Sequence, residues 1–366
     1  MAERRPLRIG VLGTAEIARR RLLPAFEACP DTRVTAVASR TAGRAAEVTD
    51  RFGGCPVRGY AALLERDDID AVYLPLPAAL HAEWTERALR SGRHVLAEKP
   101  LTTDPVRTRE LLALAADRGL VLMENVMFVH HPQHAWIRGL ADAGAIGELR
   151  SFHAVFTVPA RRPGDIRLSP ELGGGALLDT GVYPVRAALE LLGTDLDVVG
   201  AAASRTQGAL VDTGGAALLR TPAGVLAQVS YGIDDAYRSV YELAGSTGVI
   251  RLEHAFTPPG DHRPAVTLRA ADGRTERHTL DAHDQVLGTV ARFAAAVRAG
   301  RAPHAAVCLR QAELLHAIAV SAAGSMAPGV PRQSFETSSS PRCDGDAHDE
   351  TVRAAAQAVR HEPRGV

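Results

Sequence analysis

Lysine is almost missing from this 366-residue chain: of its 42 Lys and Arg residues, Lys99 is the single lysine and the rest are arginine. Net charge is missing as well, because those 42 cations face 42 acidic residues and the pI is ≈ 7.3. A chain balanced in this way has no bulk basic field, so neither nucleic acid nor an anionic membrane is an expected partner. Cysteine is scarce. Cys29, Cys55, Cys308 and Cys343 are scattered, with no CxxC pair, which argues against a disulfide framework and fits reduced thiols in a cytoplasmic protein. No stretch reaches the ~18 uninterrupted apolar residues of a membrane span. The opening "MAERRPLRIGVLG" passes from charged residues straight into a short apolar run, without the hydrophobic region or cleavage site of an export signal. Internal repeats are absent too. What remains is ordinary globular composition, 46% hydrophobic and 23% charged. At roughly 150 residues per domain, two domains are expected.

Residues 1–124 alternate strand and helix patterns. Short apolar runs at 7–12, 33–39, 70–76, 94–98 and 120–124 read as buried strands, and the segments 15–28, 43–52, 80–92 and 104–119 as helices. Pro24 predicts a kink in the first helix. Asp104 followed by Pro105 reads as an N-cap with proline at the first helical position. Repeated βα units of this kind predict a doubly wound parallel sheet with helices on both faces. From 125 the pattern changes. Helical stretches at 131–143 and 175–192 precede strand-like runs at 197–204, 214–220, 225–232, 239–253 and 265–280, then helices at 284–299 and 306–324. Residues 125–330 are therefore expected to form an α+β domain on an open, mostly antiparallel sheet. Residues 331–366 read as a solvated tail.

The turn after the first strand, "GTAEIA", sets Gly13, Ala15 and Ala18 at the three glycine positions of GxGxxG, with Thr14, Glu16 and Ile17 between them. Glycine serves the tight turn, a small second residue lets backbone approach a pyrophosphate, and a small third lets the helix pack on its strand. The following helix N-terminus supplies free N–H groups and a positive dipole end. The second strand ends in Ser39, Arg40 and Thr41, with no acid before Glu47. A carboxylate there bonds a ribose 2′-hydroxyl, whereas guanidinium and hydroxyls suit a 2′-phosphate. The expected cofactor is NADPH.

Lys99 stands in "HVLAEKPL", at the carboxyl end of a predicted parallel strand and beside the crevice where such sheets bind ligands. Hydride transfer to a ketone leaves charge on oxygen that must be stabilised or protonated. An ammonium is a compact point charge whose pKa responds to its surroundings; a guanidinium is wide and keeps its protons. In a chain that otherwise uses arginine, the one lysine marks a place where arginine fails. In "LLDTGVYPV", Asp179 and Tyr183 are four apart and share a helix face. Tyrosine, with an ordinary pKa of ~10, is protonated at neutral pH and suited to donate. A nearby ammonium is expected to lower that pKa. Tyr183 is thus the candidate proton donor and Lys99 its assistant, with Asp179 positioning the group or the substrate. The "HHPQH" run (130–134) has no carboxylate or cysteine to complete a ligand set, so no metal is expected and the run reads as a polar helix start.

Taken in order, "GTAEIA", "VASR", "LPLPAALHAEW", "GRHVLAEKPL" and "GGGALLDTGVYPVR" resemble the glucose–fructose oxidoreductase / inositol dehydrogenase family, over about residues 7 to 325. The resemblance implies a Rossmann domain followed by an α+β domain whose open sheet forms dimers or tetramers, and a Lys99–Pro100 peptide that is often cis. It implies that Glu98 contacts the cofactor ribose and that Leu76, Pro77 and His81 lie on the nicotinamide side. Where the family commonly has asparagine and histidine, this chain has Ala78 and Tyr183. Asn125 and Met127 are placed along the cleft.

Within the family, "ENVMFVHHPQH" and "YRSVYELAGSTGVIRLEHAFTPP" look most like the 3-ketoreductases of deoxysugar biosynthesis, of the kind met in antibiotic pathways. These reduce the C3 carbonyl of a dTDP-linked 3,4-diketo-6-deoxyhexose. Arg161, Arg162 and Arg167 of "ARRPGDIR" are candidate diphosphate contacts, and Tyr237, Arg238 and Tyr241 of "AYRSVY" candidate base and phosphate contacts. Two alternatives stand beside this reading. One is a dehydrogenase of a free cyclic polyol, sugar or dihydrodiol; the other is a non-catalytic NADP-binding regulator, which has no need of Lys99 and Tyr183 together.

Overall fold

The computed structural model describes residues 5–324; the expected tail at 331–366 lies outside them. Six strands form a parallel sheet: β1 (Leu7–Leu12), β2 (Thr32–Ser39), β3 (Cys55–Arg58), β4 (Ala71–Leu74), β5 (His94–Glu98) and β6 (Leu122–Asn125). Their order is β3-β2-β1-β4-β5-β6. Strand order reverses between β1 and β4, so the loops leaving those two strands open the crevice in which such sheets bind nucleotides. Side chains alternate between the two faces of each strand, and each face has its own core. Ile9, Val11, Tyr73 and Leu96 pack with Phe26 of α1 (Leu23–Ala28). Leu12, Val72, Leu74 and Val95 pack with Leu89 of α4 (His81–Arg90) and Leu111 of α5 (Pro105–Asp117). Two further helices, α2 (Ala42–Phe52) and α3 (Tyr60–Leu64), complete the wrapping.

Asp104 caps α5 as its spacing predicts, its carboxylate accepting from Val106 N–H at 2.8 Å. The predicted kink at Pro24 takes a different form. A π-helical turn at Ala18–Leu22 leads into α1, which begins just before Pro24. Proline has no N–H for the carbonyl four residues back, and the upstream backbone relaxes into the wider turn. The short strand β3 and helix α3 escaped the sequence reading, because β3 is mostly exposed and begins Cys55–Pro56.

The second sheet has eight strands in the order β14-β13-β12-β11-β7-β10-β9-β8. They are β7 (Leu149–Thr157), β8 (Asp197–Ser204), β9 (Gly214–Arg220), β10 (Leu226–Gly232), β11 (Arg238–Gly245), β12 (Gly248–Glu253), β13 (Ala265–Ala270) and β14 (Thr275–Thr279). Only the β7–β10 pair is parallel. β7 sits near the middle of this sheet, yet the sequence reading placed no strand there. Arg150, Ser151 and His153 interrupt the apolar run; the usable signal was alternation, with Phe152, Ala154 and Phe156 turned inward. The runs 239–253 and 265–280 each split into a hairpin.

The inner face of this sheet packs on α6 (Pro132–Asp142) and α7 (Val182–Leu192). The predicted helix 175–192 also begins with a π-helical turn, Leu177–Gly181, again just before a proline, Pro184. Asp212 pins its start, accepting from Leu177 N–H at 2.8 Å. Two last helices join the layers. From α8 (Gln285–Ala299), Val286, Val290 and Phe293 pack on the first sheet. By length and composition α9 (Ala305–Ala323) is apolar enough to cross a membrane, but its Leu314, Leu315 and Ile318 enter the core of the second sheet.

Candidate active site

Gly13 follows β1 with φ +124, a conformation suited to glycine. Its N–H donates to Ala38 O at 2.9 Å, tying the turn to the end of β2. A Cβ at Gly13 would lie 3.1 Å from Leu76 Cδ2 and 3.4 Å from Pro75 O. The turn is thus a bare-backbone cradle walled by the loop after β4, and it fits a pyrophosphate lying across β1 and β4. Ala18 is fully buried, as helix-to-strand packing requires; Thr14, Ala15 and Ile17 are half-buried. Glu16 is exposed and pairs with Arg20 at 2.8 Å. At the end of β2, Ser39 is buried and its Oγ accepts from Thr41 N–H at 3.3 Å. Arg40 and Thr41 are exposed beside it.

Leu76 is buried and Pro77 half-buried on the loop after β4. His81, also buried, braces two loops: Nδ1 lies 2.7 Å from Pro100 O and Nε2 2.7 Å from Leu76 O. Burial lowers its pKa, and a neutral ring donates to only one of these carbonyls at a time. His81 is therefore a link between the Leu76–Pro77 loop and the Lys99–Pro100 loop.

The Lys99–Pro100 peptide is cis. Lys99 Nζ donates to Asp179 Oδ1 at 2.8 Å and to Asp179 O at 2.6 Å, and lies 5.2 Å from the centre of the Tyr183 ring. Three groups have converged, one from the end of β5 and two from the helical segment that leads into α7. Burial opposes the ammonium, but Asp179 and Tyr183 together outweigh it and raise the Lys99 pKa. Asp179 is itself buried, and its carboxyl is held well below the usual range against that burial, by Lys99, Arg167 and Arg161. Tyr183 departs from expectation. Burial raises its pKa, and the pull of Lys99 does not overcome it, with Asp179 and Glu98 adding to the rise. Phe156, Phe256 and Phe128 surround the ring, at centroid distances of 4.7, 5.9 and 6.0 Å. The phenol stays protonated throughout the neutral range; its acidity is not enhanced.

The remaining candidates scatter. Glu98 is buried, and its Oε1 accepts from both Tyr73 Oη (2.6 Å) and Asn125 Nδ2 (2.7 Å). Asn125 is itself 0% exposed, so its amide orients Glu98 and does not line the cleft. Met127 is likewise core. Arg167 Nε and Arg161 Nη2 reach Asp179 Oδ2, at 3.1 and 3.3 Å, so both arginines gather at the carboxylate that holds Lys99. Arg162 is exposed and is not placed in that cluster by any observed contact. Tyr237 stands at the rim: 46% exposed, with its ring 6.4 Å from that of Phe156.

Two predictions fail, Arg238 on strand parity and Tyr241 on burial. Arg238 lines a separate cavity of about 580 Å³, with Val155, Thr157 and Ser230, whereas Phe156 faces Tyr183 on the opposite side of β7. Tyr241 points inward but is fully buried, and its hydroxyl is spent on His134 Nδ1 at 2.9 Å. In "HHPQH", His131 accepts from Gln133 N–H and caps α6. Burial holds His134 at about 3, hence neutral. Among the described residues, no group of three or more His, Cys, Asp or Glu is placed to hold a metal. Tyr73, Glu124 and Arg186 were missed. Each had a signal: a polar or charged residue inside an apolar run, and for Arg186 a partner four residues on, at Glu190.

Comparison with known proteins agrees with this architecture. Residues 7–126 match the oxidoreductase family with NAD-binding Rossmann fold, and residues 134–251 match the GFO/IDH/MocA C-terminal domain. A dTDP-3,4-didehydro-2,6-dideoxy-alpha-D-glucose 3-reductase of Actinomadura kijaniata is 53% identical over 319 residues, 87% of this chain and 96% of that protein. One of the same description from Streptomyces violaceoruber is 53% identical over 325 residues, 86% of this chain and 95% of that protein. The crystal structure of KijD10, a 3-ketoreductase from Actinomadura kijaniata in complex with NADP and TDP-benzene, superposes with a TM-score of 0.85 at 53% identity, covering 87% of this chain and 98% of that one. The chain belongs to the GFO/IDH/MocA family of oxidoreductases.

Proposed function

We propose that this protein is an NADPH-dependent reductase of the C3 ketone of a dTDP-linked 3,4-diketo-6-deoxyhexose, with or without oxygen at C2. The observation that carries the reading is the convergence of Lys99, Asp179 and Tyr183 beside the crevice between β1 and β4. In this assignment residues 1–124 bind the nucleotide cofactor and 125–330 bind the substrate. Gly13, Thr14, Ala15 and Ile17 cradle the pyrophosphate; Ser39, Arg40 and Thr41 take the 2′-phosphate; Leu76 and Pro77 wall the nicotinamide side. Glu98, oriented by Tyr73 and Asn125, takes the ribose.

When bound, the reduced nicotinamide supplies the hydride that forms the new C–H bond at C3. As the carbonyl π pair moves onto oxygen, the Lys99 ammonium stabilises the developing charge. Tyr183 donates its phenolic proton to that oxygen, and the phenolate regains a proton from solvent once the alcohol leaves. Asp179 holds Lys99 in place and keeps it charged. Arg161 and Arg167, already at the site, are suited to exchange Asp179 for the substrate diphosphate. Tyr237 at the rim offers a face to the base. The partner is thus a small sugar nucleotide in the cytoplasm, and the open face of the second sheet is the surface assigned to a homo-oligomer.

Initial rates test the reading directly. Turnover is expected with NADPH and the dTDP-linked diketo sugar. Turnover of free polyols, sugars or dihydrodiols alone would overturn it, as would NADPH binding without turnover of any ketone or alcohol. The 2′-phosphate assignment has its own test. Arg40→Glu is expected to raise the NADPH dissociation constant by about 10²-fold, because a charge-assisted contact becomes a repulsion. NADH affinity should change less than about threefold, since NADH carries no 2′-phosphate. Equal loss of both cofactors in a titration of nucleotide fluorescence rejects the assignment.

A further inference from the structure

Close to Lys99 and Tyr183 in the chain lies a second buried ionic group that the chemistry does not use. Glu124 belongs to β6, and Arg186 stands three residues beyond Tyr183 on α7. Both side chains are 2% exposed, with Arg186 Nη1 3.3 Å from Glu124 Oε2. Gln311 of α9 bridges them: its Nε2 donates to Glu124 Oε1 at 2.8 Å, and its Oε1 accepts from Arg186 Nη1 at 3.0 Å. Glu124 Oε1 also accepts the backbone N–H of Leu101, two residues past Lys99, at 2.9 Å. Arg186 Nε donates in turn to Glu190 at 2.8 Å.

Burying a carboxylate and a guanidinium together is a poor route to stability, since apolar residues of similar volume do as well or better. The partners of this pair suggest its use. One end holds the backbone that carries Lys99, and the other sits on the helix that carries Tyr183. At the site itself, the Lys99–Asp179 contact is one with which a substrate oxygen competes. We propose that Glu124, Arg186 and Gln311 form a positioning latch that fixes the Lys99 loop against the Tyr183 helix while the side chains at the site exchange partners. The latch rests on the reading of Lys99 and Tyr183 as the reacting pair.

Glu124→Gln keeps the shape and an acceptor for Leu101 but removes the charge. It is expected to lower kcat by about 10- to 100-fold, as small displacements of reacting groups do, while KM and the NADPH dissociation constant stay within about threefold. A second readout needs no substrate. The ionisation of Tyr183, taken as the ultraviolet difference between each enzyme and its Tyr183→Phe counterpart, should move upward by about half a unit or more as Lys99 shifts away. The other charges facing Tyr183, namely Asp179, Glu98 and Arg167, are untouched by the substitution. Gln311→Leu, which spares the ion pair, should show the same two changes in smaller measure, and it carries the test should Glu124→Gln not fold. A lower melting temperature with unchanged kcat and unchanged Tyr183 ionisation would overturn the latch, as would a loss of kcat with no ionisation shift. Because the ionisation is read without substrate, failure of the sugar-nucleotide assignment leaves this result standing, and the two failures are told apart.

Discussion

Lys99→Met is expected to lower kcat by about 10²–10³-fold with NADPH binding retained, the scale of loss when a preorganised partner of a developing oxyanion is removed. The side chain is 14% exposed and its charge is held by Asp179, so the ammonium meets a substrate oxygen in a poorly solvated site. Methionine keeps an unbranched apolar stem, one atom shorter than lysine's, and removes the charged nitrogen together with its hydrogen bonds to Asp179. Lys99→Arg sharpens the experiment. A wide, planar guanidinium has to fit where one nitrogen reaches both Asp179 Oδ1 and the Asp179 carbonyl. A loss of at least about tenfold is expected there too. Single-turnover measurements with saturating NADPH separate these losses from binding. Full activity in Lys99→Arg would show that the chain's one lysine holds no geometric advantage.

Tyr183→Phe is expected to lower kcat by about 10²-fold, the low end of the range for loss of a general acid. The low end is chosen because burial raises the phenol's pKa, so its proton is less readily given than that of a tyrosine activated by Lys99 alone. The ring should keep its place, since Phe156, Phe256 and Phe128 pack against it. A pH–rate profile provides the check. With tyrosine as donor, the alkaline fall in rate belongs to the phenol and disappears in the phenylalanine variant. A loss below about threefold with an unchanged profile would reassign the proton, to Lys99 or to a hydroxyl of the substrate.

Much of this was legible in the residues. β5 runs from His94 to Glu98, as the apolar run "HVLAE" predicts, and α5 starts at the Asp104–Pro105 cap. The glycine turn and the lone lysine both pointed to the crevice. What was not legible is instructive. Asp179 was expected to position the reacting group or the substrate, and its grip on the lysine was not foreseen. Arg161 and Arg167 were expected on a diphosphate, yet they close on Asp179. Arg238 and Tyr241, three residues apart on β11, fall on opposite faces of the sheet, and neither joins Tyr183.

By itself the sequence determined the βα alternation, the bare-backbone turn at Gly13, the strand end that presents Lys99 and the helix that carries Tyr183. Those depend on apolar period, turn chemistry and capping, which act over a few residues. Tertiary structure alone decided the meetings: Lys99 with Asp179, 80 residues apart, and Glu124 with Gln311, 187 apart. It also decided the ionisation of Tyr183, because burial and every neighbouring charge act on a pKa together, and only packing of the two sheets through α7 and α9 fixes which neighbours those are.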